Sequence, residues 1–360
     1  MRTAAKKMLR PSQGPFADFI ADRTAVDPFQ RDPVMVARLM PLIDAVNAYF
    51  GTEVRGWAHV PKRGPFLIVG NHSGGASPND LSFLLGKWIK ERGPEAPLYA
   101  LGYDLLFAYP VVGRLLPKLG VVPARPGNAI RALALGAPVV VFPGGDHEVF
   151  RPWSERNHID FGGHEGFIEL AIKTGVPVIP MTIHGAHQST VTLTRGRRLA
   201  HLIGIDRLRV KVFPVIWSIP FGPVPAFIPS IPLPSKVTVH FGAPLDWSRY
   251  RAVQACDAAV RRQCYEEITA RMQATLDALA RQRPYPVLSR INELRPDHLI
   301  ESLRSEPQRR RSPDVVGDRL PSLAPTRPHK LLISFGEKGE PVLERRRLTP
   351  GRARVLAGSG

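Results

Sequence analysis

The 360 residues suffice for one large domain or two modest ones, and a 44% hydrophobic content with a mean hydropathy of −0.10 excludes a wholly disordered chain and a polytopic membrane protein alike. Two cysteines, Cys256 and Cys264, cannot build a disulfide framework or a four-cysteine zinc site, so a reducing compartment is the default. Lys and Arg number 49 against 31 Asp and Glu, a net charge of +18 that favours anionic partners: phosphorylated ligands, acidic lipid headgroups or nucleic acid.

Residues 1–32 read as a flexible arm, basic but with no apolar run behind the charges, so no signal peptide is expected. Asp32-Pro33 then reads as an N-cap followed by proline at the first helical position. Met35, Val36, Leu39, Leu42, Ile43 and Val46 follow at helical spacing. From Val54 to Thr182, short apolar runs alternate with helical patterns. FLIVGN (66–71), PLYALG (97–102), VVP (121–123), PVVVF (138–142) and PVIPMTI (177–183) predict strands. LSFLLGKWIKER, LLFAYPVVGRLL, AIRALAL and GFIELAIKT predict the intervening helices. That alternation specifies an α/β fold, a mostly parallel sheet flanked by helices.

The 24 residues Val212 to Ser235 carry no charge, a length that matches a membrane span, but seven prolines among them exclude a spanning helix. KVTVHFG (236–242) offers a further strand, and 250–282 a long C-terminal helix with Val253, Val260, Ile268, Met272, Leu276 and Leu279 on its apolar side. Beyond 290 periodicity is lost. Residues 301–360 hold 13 Lys and Arg against 7 Asp and Glu, and 290–360 is expected to be a basic, disordered tail.

Four segments carry the candidate chemistry. In FLIVGNHSGGASPND a strand delivers His72 to its carboxyl end, where ligands bind in open α/β sheets, and Asp80 opens the next helix. An imidazole there accepts a hydroxyl proton near neutral pH, and a carboxylate on its other nitrogen fixes the tautomer. The same residues also suit a helix cap and an ordinary loop histidine. In VVVFPGGDHEVFRP, Gly144 and Gly145 let backbone approach a ligand, and Arg151 can hold a phosphate or carboxylate in a fork. A tight turn with a solvated charge cluster fits that segment equally. Arg125 follows a third strand, and His184 and His187 follow the strand containing Pro177 and Pro180.

Together these segments resemble the glycerolipid acyltransferases related to lysophosphatidic-acid acyltransferase, in particular the bacterial branch similar to mono- and diacylglycerol acyltransferases. Four blocks stand in the family's order across residues 30–285: NHSGGASPND, Tyr103–Arg125, FPGGDHEVFRP and VPVIP (176–180). Two departures stand out. Seven residues separate His72 from Asp80 where the family's usual block has four, and Gly144 occupies the position where the widespread third block has glutamate. The second departure favours a neutral-lipid or otherwise unusual acceptor.

The resemblance implies an acyltransferase domain over 33–285 that moves an acyl group from acyl-CoA to a lipid hydroxyl, without a cofactor or metal. His72 is the expected general base and Asp80 its orienting partner. Arg125, Gly144, Gly145, Glu148 and Arg151 are the expected substrate-binding residues. An insoluble acceptor implies work at a membrane surface, expected at the inner face of the cell membrane, with Phe213, Trp217, Phe221 and Phe227 beside the basic 195–211 segment as a dock. Two other readings remain open at this point: a catalytically idle lipid-binding relative, and a metal-dependent hydrolase using His72, Asp80, Asp146, His147, His184 and His187. A nucleic acid is not expected as the primary partner, because the recognisable binding modules are missing from the sequence.

Overall fold

The computed structural model describes residues 27–73, 79–109, 111–203, 212–218, 221–226, 228, 231–295, 329–335 and 341–347. The chain divides into two compact units, Met1–Ile291 and Asn292–Gly360.

The first unit is built on a seven-stranded sheet: β1 (Glu53–Arg55), β2 (Leu67–Gly70), β3 (Tyr99–Gly102), β4 (Val121–Pro123), β5 (Val139–Val141), β6 (Val178–His184) and β10 (Thr238–Phe241). Its order is β1-β10-β6-β2-β5-β3-β4, and only the β10–β6 pair runs antiparallel. All six runs read as strands from sequence lie in this sheet, as the alternation of apolar runs and helical patterns requires.

Period-two alternation along the strands divides the core between the two faces. On one face Ile68, Val140 and Ile179 pack with Phe83, Leu84 and Trp88 of the helix Asn79–Arg92. On the other, Leu67, Val69 and Val178 pack with Ile168 and Ile172 of Gly166–Thr174 and with Ile268 and Met272 of Ala258–Gln282. All of these are buried, each contributing about 1.5–3 kcal/mol of transfer free energy. The long C-terminal helix is therefore a structural wall of the sheet. Val253, expected on its apolar side, lies instead in a separate 3-10 turn, Ala252–Cys256, and is exposed.

At the N-terminus, the Asp32 side chain accepts from the backbone N–H groups of Val34 and Met35, capping Pro33–Arg38 as the sequence expects. The arm expected over 1–32 is held at its end. Asp32 N–H donates to Lys118, Asp27 pairs with Arg131, and Phe29 packs on Tyr99. The segment read as one helix over 105–116 forms two, Asp104–Ala108 and Val112–Lys118. Tyr109, which precedes a proline, is extended at ψ 125°, as steric conflict with the following ring demands.

The proline-rich stretch contributes a second sheet that the sequence does not announce. β7 (Val191–Thr194), β8 (Val215–Ser218) and β9 (Gly222–Pro225) form an antiparallel three-stranded sheet. Pro223 and Pro225 are tolerated because β9 is an edge strand. In the second unit, within the expected tail over 290–360, β11 (His329–Phe335) and β12 (Pro341–Arg347) pair antiparallel. A helix, Pro286–Glu293, follows the region expected to form the acyltransferase domain.

Candidate active site

The site forms where β2 and β5, adjacent at the centre of the sheet, end. Asn71 is buried, and its carboxamide both donates to the Ile183 carbonyl (2.9 Å) and accepts from the Ile183 N–H (2.7 Å). A side chain thus continues the β2–β6 ladder while the main chain turns out of the sheet. Gly70 makes room for the turn. A Cβ there would stand 2.7 Å from Met181 Cε and 2.8 Å from Phe142 Cε1. The Phe142 ring uses that room to stack on His72, centroids 4.8 Å apart.

Asp80, in the first turn of Asn79–Arg92 where the helix dipole favours a carboxylate, is almost fully buried. Its Oδ2 lies 2.5 Å from His72 Nδ1 and accepts the Ser73 N–H at 2.7 Å, while Oδ1 accepts from Ser73 Oγ at 3.2 Å. Residues 74–78, the glycine-containing segment between the partners, lie outside the described residues. With Asp80 as acceptor, Nδ1 carries the proton and Nε2 of His72 keeps its lone pair. A quarter of the His72 side chain is exposed.

Glu148 and Arg151 take positions that the sequence does not foretell. The sequence offers a substrate-binding pair or a solvated charge cluster, yet both side chains are buried and paired with each other, Glu148 Oε1 accepting from Arg151 Nη1 at 3.0 Å. Glu148 Oε2 accepts the main-chain N–H of His72 at 2.7 Å. Burial pushes the Glu148 carboxyl up to about 7, against the opposing pull of Arg151 and of the His72 N–H. Arg151, expected as a fork for an anionic substrate group, turns its guanidinium to Glu148, and its main-chain carbonyl is a hydrogen-bond partner of His187 Nε2 at 3.0 Å.

Gly144 precedes the short helix Gly145–Val149 and has no room for a side chain, since a Cβ would meet Glu148 Cβ at 2.5 Å and Oε2 at 2.6 Å. Gly145, at φ 47°, borders open space. Arg125 lies at the carboxyl end of the edge strand β4, two strands from β5, where Nη2 is 3.1 Å from Asp104 Oδ2 and about half the side chain is exposed.

The other three candidate histidines lie away from the His72–Asp80 pair or are buried. His147 bridges Asp160 (2.7 Å) and Arg197 (2.7 Å), tying down the loop after β5. His184 and His187 are both buried, which pushes their pKa values down to about 4 and about 3. Among the described residues no three His, Cys, Asp or Glu side chains gather into a metal-binding group, so the ligand set imagined for a hydrolase does not converge. The structure therefore unites His72, Asp80, Glu148, Arg151 and Gly144, leaves Arg125 apart, and adds Asn71, Ser73, Phe142 and His187. Of these, Asn71 beside His72 at a strand end carried the clearest sequence signal.

The family model described as Acyltransferase matches residues 51–184. An uncharacterized protein of Mycobacterium tuberculosis (strain ATCC 25618 / H37Rv) is 30% identical over 70% of this chain and 68% of its own length. The bovine (Bos taurus) DGAT1/2-independent enzyme synthesizing storage lipids is 26% identical over 53% of this chain and 55% of its own. The crystal structure of the 1-acyl-sn-glycerophosphate acyltransferase PlsC from Thermotoga maritima aligns with a TM-score of 0.39 and 18% identity, covering 72% of this chain and 88% of that one.

Proposed function

The chain belongs to the acyltransferase family, and on that premise we propose that it transfers a fatty acyl group from acyl-CoA to a hydroxyl of a glycerolipid or related lipid acceptor, with His72 as the general base. The observation that carries this reading is the 2.5 Å contact between His72 Nδ1 and the buried Asp80 carboxylate. As the acceptor oxygen attacks the thioester carbonyl, Nε2 takes the hydroxyl proton, and Asp80 offsets the charge that develops on the ring. Collapse of the tetrahedral intermediate expels the CoA thiolate, which recovers that proton from His72. Proton transfer of this kind contributes about 10²–10⁴-fold in rate.

The open backbone at Gly145 supports a role for the Gly144-Gly145 turn beside the donor carbonyl. Burial and mutual pairing withdraw Arg151 and Glu148, the most obvious anion fork, from a substrate, which supports a neutral acceptor. Arg125, half-exposed at the carboxyl end of β4, is the candidate cation for an anionic group on CoA or acceptor.

Membrane contact is part of the same reading. Trp217 and Phe221 are 51% and 69% exposed, and Tyr103, Tyr109 and Val111 are exposed after β3. Aromatic side chains at headgroup level beside cations suit an interface. Phe213 is half-buried, whereas Phe227 and residues 204–211 of the basic segment lie outside the described residues. Among the described residues no helix is long and apolar enough to cross a bilayer. The inner face of the cell membrane is the proposed place of work.

Mass spectrometry of products after incubation with acyl-CoA and mixed glycerolipids tests the proposal. An acylated lipid with release of free CoA is expected. Unchanged acyl-CoA across the whole acceptor panel would instead favour the idle lipid-binding relative.

A further inference from the structure

We propose that Glu148, backed by Arg151, is a positioning residue for His72, holding its main chain from the space that a side chain at position 144 would occupy. The inference rests on the reading of His72 as the base. Three observations carry it. Both Glu148 oxygens are committed, Oε2 to the His72 N–H and Oε1 to Arg151. The carboxylate is fully buried, so it does not reach a substrate as it stands. The place of a Cβ on residue 144 lies 2.6 Å from Glu148 Oε2.

His72 is thus gripped twice. Asp80 sets the ring and its tautomer, and Glu148 sets the peptide from which the ring projects. Neither contact substitutes for the other, because a ring hydrogen bond leaves the main chain free to shift and a main-chain hydrogen bond leaves the ring free to rotate. Arg151 anchors the carboxylate in turn, and it is itself tied through its carbonyl to His187 Nε2. Small misplacement of a reacting group is costly, about 10²-fold for 1 Å. A base that stands beyond the end of its strand needs such a second hold.

A substrate-binding role for Glu148 predicts a raised KM. A purely structural role predicts lost stability with kcat preserved in the molecules that fold. Positioning predicts a lowered kcat at nearly constant KM, and recovery when a carboxylate returns to the same space from a different residue. Glu148→Gln keeps the shape but presents an acceptor to only one of its two donors. Its kcat is expected to fall between tenfold and about 10²-fold, with KM within about twofold. Glu148→Ala strands the Arg151 charge and loses more. The double variant Gly144→Glu/Glu148→Ala is expected to regain at least tenfold over Glu148→Ala, whereas Gly144→Glu alone, with two carboxylates contesting one space, is expected to be inactive.

In protein carrying nitrogen-15 histidine, the His72 amide proton, assigned by its loss in His72→Asn, should move upfield in Glu148→Gln. That shift decides the matter if the double variant does not fold. Wild-type kcat in Glu148→Gln, an unmoved amide, or a folded double variant no better than Glu148→Ala overturns the inference. Full turnover in His72→Ala would overturn the underlying reading instead, so the two failures are distinguishable.

Discussion

His72 and Asp80 meet at 2.5 Å although seven residues separate them in the chain. The contact is possible because the two ends are fixed independently, one by the exit from β2 and the other by the first turn of a helix whose apolar face is anchored in the core. The spacing departs from the family's usual block, and the geometry still joins the pair. Two variants follow. His72→Ala removes the base and should cut turnover about 10²–10⁴-fold with the circular dichroism spectrum unchanged. Asp80→Asn removes the charge that favours the protonated ring, and it should lower kcat in the same range while KM for acyl-CoA stays put. Steady-state kinetics on both variants check this; normal turnover in either would falsify its assigned role.

Gly144 and Gly145 should respond differently to alanine. At 144 the new methyl collides with Glu148, so overpacking of about 1–3 kcal/mol is expected, together with loss of activity through the displaced carboxylate. At 145 the methyl enters open space, and the cost is the left-handed backbone alone, about 1 kcal/mol. Urea unfolding ranks the two. Equal stability losses, or a larger loss at 145, would contradict the packing described.

Arg125 forms an exposed ion pair with Asp104, and pairs of this kind contribute little, about 0–1 kcal/mol. Arg125→Ala should therefore leave the melting temperature nearly unchanged. If the guanidinium meets an anionic group of the donor, KM for acyl-CoA should rise several-fold and more steeply at low salt. A KM unchanged for both substrates would return Arg125 to the surface ion pair.

The proposed membrane contact concentrates on two side chains that no core residue covers. Trp217→Ser with Phe221→Ser removes the most exposed aromatics of the second sheet without touching its ladder, which uses main-chain groups. Flotation with vesicles containing anionic lipid should show the double variant shifted toward the free fraction. Its turnover of a water-soluble short-chain acceptor should persist. Unaltered flotation discards this dock.

What was legible in the sequence was what periodicity and local chemistry encode. Ile68 and Leu67 point to opposite cores, so strand β2 could be read without its partners, and Asp32-Pro33 announced its helix start through a local cap. The strands β8 and β9 were hidden because Pro223 and Pro225 argue against a strand unless its edge position is known, and that position is a property of the assembled sheet. Burial of Glu148 and Arg151 was hidden for a related reason. A run such as DHEVFR reads as solvated charge, and only the packing of the loop against the end of β2 turns two of those charges inward.

Those buried groups give the protein opposing pH dependences. Burial lowers His184 to about 4 and His187 to about 3 from an ordinary 6.5, so the folded state holds both neutral where the unfolded chain binds protons. Their stabilisation is complete above pH 6.5 and is lost as pH falls toward those values, at up to about 1.4 kcal/mol per unit for each group. Glu148 acts in the reverse sense. Raised from 4.5 to about 7, it favours the folded state at low pH and loses that contribution as pH rises through about 7. Between pH 6.5 and 5 the two histidines outweigh the one carboxylate, and acidification should destabilise the fold. His187→Gln, which can still donate to the Arg151 carbonyl, removes one titrating group. Urea unfolding at pH 7.5, 6.5 and 5.5 should therefore show the variant losing about 1 kcal/mol less than wild type over the last step. Parallel pH profiles for the two proteins would mean that His187 is not held neutral by burial.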